Sequence, residues 1–299
     1  MIYENLLDRI GFTPEDKKDY EKYKALSDGV TEAVAFDYMS GKISFNEALE
    51  KVKSLKNDKI GEYALNMLFF LDCTGYLYPE KYAQKGWSEA LFVNAMRDLK
   101  SKLDECRDVM GCFGTFVPEW YEGFYVPCRV APGRLQYDIK THEDESVKLK
   151  NYEIKKGDLI LNCHIPGSSY GPLLEKDCIE SYKMAYELFK GQIRDKVLVI
   201  RCCSWLLFPA YQSLFGDKSN TYKFAEKFEI VESRYHERFL DGWRIFNQHP
   251  YDGTANLPRD TRMRRAFIDY IDNVPDSDKK YGAGLGYLLF DGESIITHR

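Results

Sequence analysis

The chain has 299 residues, of which 44% are hydrophobic and 15% aromatic, so it can bury the core of one large or two ordinary globular domains. Its 42 basic and 47 acidic residues are mixed along the sequence and leave a formal net charge of -5. This balance lacks the basic patch that a nucleic-acid backbone attracts, so nucleic acid is not expected as a partner.

The sequence shows no sign of membrane insertion. The stretch MIYENLLDRIGF lacks a basic head followed by an apolar segment, and runs such as LFF and WLLF are far shorter than the ~20 residues of a membrane span. We therefore expect a cytoplasmic protein without a membrane partner.

Cysteine and histidine spacing argues against a disulfide framework and against a metal. The 8 cysteines are too few for a disulfide scaffold at this length, and the pairs Cys106/Cys112 and Cys202/Cys203 do not fit C-x-x-C spacing. The 5 histidines are scattered without the short spacings of metal sites. The sequence therefore predicts reduced thiols, mostly buried, and no metal.

Helical punctuation dominates the first third of the chain. Thr13 to Asp16 supplies an N-cap, a proline at the first helical position and acidic residues in the first turn. The stretch from Ser44 to Glu47 has the form of a capping box. Together with the helical spacing of apolar residues, these signals predict about five helices before Gly111.

After Gly111 the sequence favours extended structure. FYVPCRVAPGRLQYDI predicts two extended runs folded about Pro132-Gly133, and LILNCH and KVLVIRCC predict buried strands. We expect a hairpin from Phe228 to Asn247, a last helix after Leu257-Pro258 and a closing Asp-Gly turn. The predicted fold class is α+β, with an N-terminal helical domain over residues 1–115 followed by a mixed β-sheet domain flanked by helices over residues 116–299.

A glycine- and serine-rich corner joins one predicted strand to a helix. The corner, PGSSYG from Pro166 to Gly171, offers backbone N–H groups and two hydroxyls before a helix N-terminus, which would suit a phosphate. It matches neither the Walker A nor the Rossmann pattern. A simple turn remains the alternative, because such corners are also common as ordinary loops.

Cys163 and His164 are adjacent at the end of the predicted strand. Neighbouring strand residues point to opposite faces, so the two cannot form a nucleophile–base pair. His164 shares its face with Asn162, and it is either a structural histidine or a base. Cys202 and Cys203 end the next strand, where burial is the alternative to thiol chemistry.

Several segments together resemble a known family. They read RVAPGRLQYDI, GDLILNCHIPGSSYGPL, IRCCSWLLFPAYQSLF with the following Ser219-Asn220, and ANLPRDTRMRRAF, and they extend over residues 129–267. The chain is similar in these segments to bacterial acyltransferase-domain proteins that join a helical N-acyltransferase N-terminal domain to a GNAT-like C-terminal domain. The helical first third suits the N-terminal domain of that family.

The resemblance implies where a coenzyme would lie. In GNAT folds pantetheine lies between the splayed fourth and fifth strands, which would be Leu159 to His164 and Val197 to Cys203. The pyrophosphate would then contact the corner at 166–171. The implied cofactor is acetyl-CoA or another acyl-CoA, and the implied binding residues are Asn162, Cys163, His164, Gly167, Ser168, Ser169, Gly171 and Asn220.

The resemblance also implies a reaction. The acyl group would pass directly from the CoA thioester to an amine-type small-molecule acceptor, without a covalent enzyme intermediate. His164 or Glu232 would be the base, and Ser204 or Tyr211 would donate a proton to the departing thiolate. The helical domain would either wall the acceptor pocket or mediate pairing into a homodimer.

Two departures from the family pattern keep an alternative open. The corner contains none of the Arg or Gln residues that GNAT phosphate loops usually carry, and Phe224 stands about where an acid Tyr is expected. The alternative is a catalytically silent GNAT-like protein that binds a ligand or partner, since fold alone does not decide function.

Overall fold

A computed structural model of the chain describes residue 3, residues 5–167 and residues 170–298. The chain divides into two compact units. The first, the helical unit, comprises Met1–Ala131 with Pro166–Gly171, and the second, the sheet unit, comprises Pro132–Ile165 with Pro172–Arg299. Residues 116–131, which the sequence analysis assigned to the second domain, belong to the helical unit.

In the described part of the chain, the helical unit contains eight α-helices, a few short 3₁₀ and π turns, and one short strand. The α-helices and the strand are α1 Leu6–Arg9, α2 Pro14–Ser27, α3 Val30–Met39, α4 Phe45–Ser54, α5 Glu62–Cys73, α6 Tyr82–Gln84, α7 Glu89–Met110, α8 Glu122–Tyr125 and β1 Arg129–Val130.

Local capping explains where these helices begin. The Thr13 hydroxyl accepts from the Asp16 N–H, and the Asp16 carboxylate accepts from the Thr13 N–H, so α2 starts with a complete capping box. Ser44 and Glu47 do the same for α4. The predicted capping signals are thus confirmed, because each depends on residues only three positions apart.

Helix α5 forms the centre of the helical unit. All residues from Ala64 to Cys73 are buried, including Asp72. The Asp72 carboxylate accepts from Lys24 Nζ at 2.6 Å and from the Thr31 hydroxyl at 2.7 Å. Burial raises the pKa of Asp72, and these two donors oppose that shift. The buried carboxylate therefore joins α5 to its neighbours α2 and α3.

The sheet unit alternates strands and helices. Its elements are β2 Gln136–Thr141, β3 Val147–Lys148, β4 Glu153–Ile154, β5 Leu159–His164, α9 Glu175–Phe189, β6 Leu198–Ser204, α10 Gln212–Phe215, α11 Asn220–Ala225, β7 Glu229–His236, α12 Gly242–Phe246, α13 Arg262–Asn273 and β8 Tyr281–Phe290.

The main sheet of this unit is mixed. Its strands pair in the order β2-β5-β6-β8-β7, with β5 and β6 parallel and the other neighbours antiparallel. The short strands β3 and β4 pair separately. A helical unit followed by a mixed sheet with flanking helices confirms the predicted α+β class.

The predicted hairpin over residues 228–247 is wrong. Strand β7 pairs with β8, and Gly242 begins helix α12 instead of turning back into a second strand. The local Asp-Gly signal favoured a hairpin, but the true partner strand lies much later in the chain.

Strand β6 ends at Ser204, whose hydroxyl accepts from the Leu206 N–H and opens a 3₁₀ turn.

The two faces of the sheet have different coverings. Helix α9 buries Cys178, Ser181, Tyr182, Ala185 and Phe189. Of the apolar residues at helical spacing after the corner, Leu173, Tyr182 and Phe189 are buried, while Ile179 and Tyr186 are half-buried. On the other face, the β3–β4 segment covers a core cluster of Leu149, Ile154, Ile160, Val199, Tyr287 and Leu289.

None of the helices in the described ranges is long and apolar enough to cross a membrane.

Candidate active site

A row of polar residues crosses the main sheet on the face that carries the β3–β4 segment, and its Tyr287 also belongs to the cluster under that segment. The strand register sets Asp138 opposite Asn162, Asn162 opposite Arg201, and Arg201 opposite Tyr287. Residues opposite each other in a sheet share a face, and His164 lies two residues beyond Asn162 on that face. We call Asp138, Asn162, His164, Arg201 and Tyr287 the polar row.

His164 makes the closest contacts in this row. Its Nε2 lies 2.9 Å from Asp138 Oδ2 and 3.1 Å from Asn162 Nδ2. Arg201 donates to Asn162 Oδ1 at 3.2 Å, which turns Nδ2 of that amide towards the imidazole.

The tautomer of His164 follows from these contacts. Nδ2 of Asn162 is a donor, so it can bond only to an Nε2 without a proton, whereas the ionised Asp138 carboxylate can bond only to an Nε2 that carries one. A hydrogen bond to a charged carboxylate is the stronger of the two, so the proton stays on Nε2. In that tautomer Nδ1 is the ring nitrogen without a proton, so it is the atom that can accept one.

The His164 side chain is only partly shielded from solvent. It retains 24% of its exposure, and the Asp138 side chain retains 13%. A carboxylate that holds one imidazole nitrogen while the other nitrogen accepts a proton is the arrangement that orients a histidine base. The pair can therefore move a proton to or from a group that reaches this face.

The polar row lies where the parallel strands stop pairing. The β5–β6 ladder runs from Ile160↔Val199 to Asn162↔Arg201, and β5 then continues through Cys163 to His164. On its other edge β5 remains paired, with His164 opposite Gln136 of β2. The end of β5 therefore runs beyond the parallel ladder.

Cys163 points away from the polar row. Its side chain is buried on the face covered by α9, beside Cys202, and burial raises the pKa of the Cys163 thiol. Burial also raises the pKa of Cys178 to about 12. These thiols are protonated at neutral pH and are poor nucleophiles. The alternation predicted for Cys163 and His164 is confirmed.

The other residues assigned to catalysis from the sequence have different settings. Glu232 is exposed on β7 and pairs with Arg234 at 3.0 Å. Ser204 alternates onto the face opposite Arg201 and caps the following 3₁₀ turn. Tyr211 is fully buried among aromatic rings, its hydroxyl accepts from the Gly282 N–H at 3.4 Å, and burial raises its pKa. The contacts of Ser204 and Tyr211 are structural ones.

The corner at 166–171 is part of the helical unit. A Cβ atom on Gly167 would lie 2.8 Å from Glu105 Oε1 and 3.0 Å from Ser101 Oγ. Tyr170 donates from its hydroxyl to the Asn94 carbonyl at 2.9 Å, and Gly171 has a φ of +84° that favours glycine. Ser168 and Ser169 lie outside the described residues. The Glu105 carboxylate beside Gly167 is paired with Lys102 at 2.8 Å, so the negative charge near this corner is partly balanced.

Asn220 lines a narrow cleft between α9 and α11. Leu173, Cys178, Ile179, Tyr182, Phe224 and Ile295 form its apolar lining. Its open volume is only about 10 Å³, about the space of one water molecule. Glu175, Lys223 and Lys227 also line it, and Lys227 pairs with Glu175 at 3.1 Å. The cleft therefore combines an apolar interior with one acidic and two basic side chains.

Three residues of the polar row, Asp138, Arg201 and Tyr287, are absent from the site residues predicted by sequence. Asp138 lies in a predicted extended run, but only the β2–β5 register brings it to His164. Arg201 adjoins Cys202 in the sequence, and only the β5–β6 register sets it opposite Asn162. Within the described part of the chain, no three His, Cys, Asp or Glu side chains come together as a metal site.

Two family models match the sequence. Residues 130–286, more than half of the chain, match the GNAT-like C-terminal domain, and residues 1–125 match the N-acyltransferase N-terminal domain. The comparison with curated proteins gives no match.

Solved structures show a similar fold. The chain resembles the crystal structure of an acyltransferase mutant in complex with octanoyl-CoA, with a TM-score of 0.67 and 18% identity over 95% of this chain and 86% of that one. It also resembles an acyltransferase in complex with decanoyl-CoA and teicoplanin, with a TM-score of 0.66, 18% identity and the same coverage of 95% and 86%. At this identity the likeness concerns the fold.

Proposed function

The chain belongs to the family defined by the GNAT-like C-terminal domain, and from that premise we propose that it transfers an acyl group from acyl-CoA directly to an amine of a small-molecule acceptor. The observation that carries the proposal is the Asp138–His164 pair at the end of β5, just past the last β5–β6 ladder pair. His164, which Asp138 orients, lies at the end of β5, where we propose that the thioester binds.

His164 acts as the general base in this proposal. Asp138 holds the proton on Nε2, so Nδ1 takes the proton of the attacking amine. The amine nitrogen bonds to the thioester carbon, the tetrahedral intermediate collapses, the C–S bond breaks, and CoA leaves as the thiolate. A positioned base of this kind typically contributes about 10²–10⁴-fold to the rate.

The backbone of β5 beyond the ladder supplies the polar contacts for the thioester arm. Beyond Asn162 the edge of β5 that faces β6 has no ladder pairs in the described residues. Its N–H and C=O groups suit the amides of pantetheine, and a strand N–H aimed at the developing oxyanion stabilises the transition state. In this proposal the reacting carbonyl is polarised by strand backbone groups and not by a charged side chain.

We assign the anionic end of CoA to the cleft of α9 and α11. Asn220 and Lys223 lie there, whereas Gly167 in the 166–171 corner lies beside the Glu105 carboxylate. The cleft must widen from its open volume of about 10 Å³ to admit a ligand. The similar acyltransferases were crystallised with octanoyl-CoA and decanoyl-CoA, so medium-chain acyl-CoA probes belong in the test beside acetyl-CoA.

The test combines binding and turnover. Calorimetry with CoA, acetyl-CoA and octanoyl-CoA measures binding, and thiol release with a panel of amines measures transfer. We expect H164A and D138N to bind octanoyl-CoA like the wild type but to lose roughly 10²-fold or more in transfer. K140A, on the same strand as Asp138, is the matched control and should retain transfer.

Two outcomes contradict the proposal. Equal transfer by H164A and the wild type removes His164 as the base. Binding of acyl-CoA without amine-dependent thiol release across the whole panel favours the catalytically silent binding protein instead.

A further inference from the structure

Strand β7 is an exposed edge. It is the last strand of the main sheet, it runs for 8 residues, and only β8 pairs with it in the described residues. Several of its side chains are open to solvent, with Val231 at 42% and Tyr235 at 63% exposure. An edge of this length presents backbone N–H and C=O groups that another strand can bind.

The side chains of β7 fall on two faces in a known order. The register with β8 puts Glu232 and Arg234 on one face and Ser233 and Tyr235 on the other. A bulge between Ile230 and Glu232 interrupts the strand at Val231. The segment from Val231 to Tyr235 reads V-E-S-R-Y.

This segment is complementary to itself in one antiparallel register. We propose that β7 pairs with β7 of a second copy of this chain about a two-fold axis through Ser233. Glu232 then lies opposite Arg234 of the second copy in both halves of the interface, on the part of β7 that follows the bulge. Opposite charges form a favourable cross-strand pair.

Neighbouring registers are unfavourable. A two-fold axis normal to the sheet keeps each side chain on its face. Paired residues must share a face, so the axis has to pass through a residue, and the neighbouring registers differ by moving it to the next residue. An axis through Glu232 sets two glutamates opposite each other, and an axis through Arg234 sets two arginines opposite each other. Charged residues usually protect an edge strand from pairing. Here the same two charges select one register.

The free chain already shows that these two side chains can pair. Within one copy, Arg234 Nε lies 3.0 Å from Glu232 Oε1, and both side chains are about half exposed, at 46% and 49%. In the dimer this contact is exchanged for two equivalent contacts between copies. The interface is small, so the dimer is weak and its population depends on protein concentration and on salt.

Charge reversal tests the register. Sedimentation of the full chain over a range of concentrations should show a monomer–dimer equilibrium. E232R and R234E each set like charges opposite each other twice and should weaken the dimer roughly tenfold or more. The double variant E232R/R234E restores both pairs and should dimerise like the wild type. E187R, the same charge change on the exposed face of α9, is the matched control and should not change dimerisation.

Mixing the two single variants gives the sharpest result. The two arginines that E232R carries on this segment would then face the two glutamates that R234E carries, so an equimolar mixture should dimerise more tightly than either variant alone. An unfolded variant could not produce this rescue, and circular dichroism of each variant checks the fold. A wild type that stays monomeric at its solubility limit, single variants that dimerise like the wild type, or a mixture that does not associate would each overturn the proposal.

Discussion

Replacing Ser181 should show how much buried hydrogen bonds, in addition to apolar packing, stabilise the sheet unit. It lies on α9, fully buried, and its hydroxyl donates to the Pro132 carbonyl. The same oxygen accepts from the Leu135 N–H at 3.2 Å and lies 3.2 Å from the Tyr137 hydroxyl. A hydroxyl has one donor and two acceptor positions, so the three partners use its full capacity.

Replacing Ser181 with alanine removes the partner of three groups at once. Leu135 and Tyr137 are fully buried, so water cannot substitute without opening the packing between α9 and the start of β2. Each buried group left without a partner costs about 1 kcal/mol or more, so we expect S181A to lower the free energy of unfolding by about 3 kcal/mol. For a unit of this size that corresponds to a fall in Tm of roughly 6–12 °C.

Denaturant unfolding of S181A, Y137F and the double variant measures the effect and its origin. Phenylalanine at 137 needs no partner, so S181A should cost about 1 kcal/mol less in the Y137F background. S213A, an exposed serine on α10, is the control and should change stability by no more than about 0.5 kcal/mol. A loss below about 1 kcal/mol for S181A, or no coupling to Tyr137, would refute the reasoning.

Three further predictions follow from specific contacts. D158N should destabilise the protein at neutral pH, because Arg194 bonds to both oxygens of Asp158, at 2.8 Å each, and holds the pKa of this carboxyl below its usual value. Because the pKa of Asp158 is lower in the folded state than in the unfolded state, its ion pair stabilises the protein above the unfolded-state pKa, and this stability is lost as the pH falls through the folded-state pKa. The difference in free energy of unfolding between wild type and D158N should therefore close below roughly pH 4. A difference that does not depend on pH contradicts this. G167L should lower Tm only slightly, because its Cβ would lie 2.8 Å from Oε1 at the end of the flexible Glu105 side chain, which can move aside; a large fall in Tm would show that the corner is rigid. K223E should weaken CoA binding while leaving Tm nearly unchanged, because Lys223 is exposed where it lines the α9–α11 cleft, and calorimetry showing wild-type affinity would remove the cleft from the proposed CoA site.

Short-range features of this protein were readable from its sequence. The capping boxes at Thr13 and Ser44 follow from residues a few positions apart, and so do two strands. The sequence predicts these strands at Leu159–His164 and Val197–Cys203, and the structure has them at Leu159–His164 and Leu198–Ser204. The family resemblance rested on segments of the same kind, and the matches to the two acyltransferase domains confirm it. Helix caps and strand alternation are local interactions, so the local sequence determines them.

The candidate site depended on tertiary structure. Asp138 and His164 are 26 residues apart, and their contact exists only because β2 pairs with β5 in one register. A register one residue away would turn Asp138 to the other face and leave His164 without it. The same reason explains the wrong hairpin prediction, since β7 pairs with β8 and not with a following strand. Sequence patterns specify the face of its own strand to which a side chain points. The burial of the whole sheet decides which strand pairs with that strand.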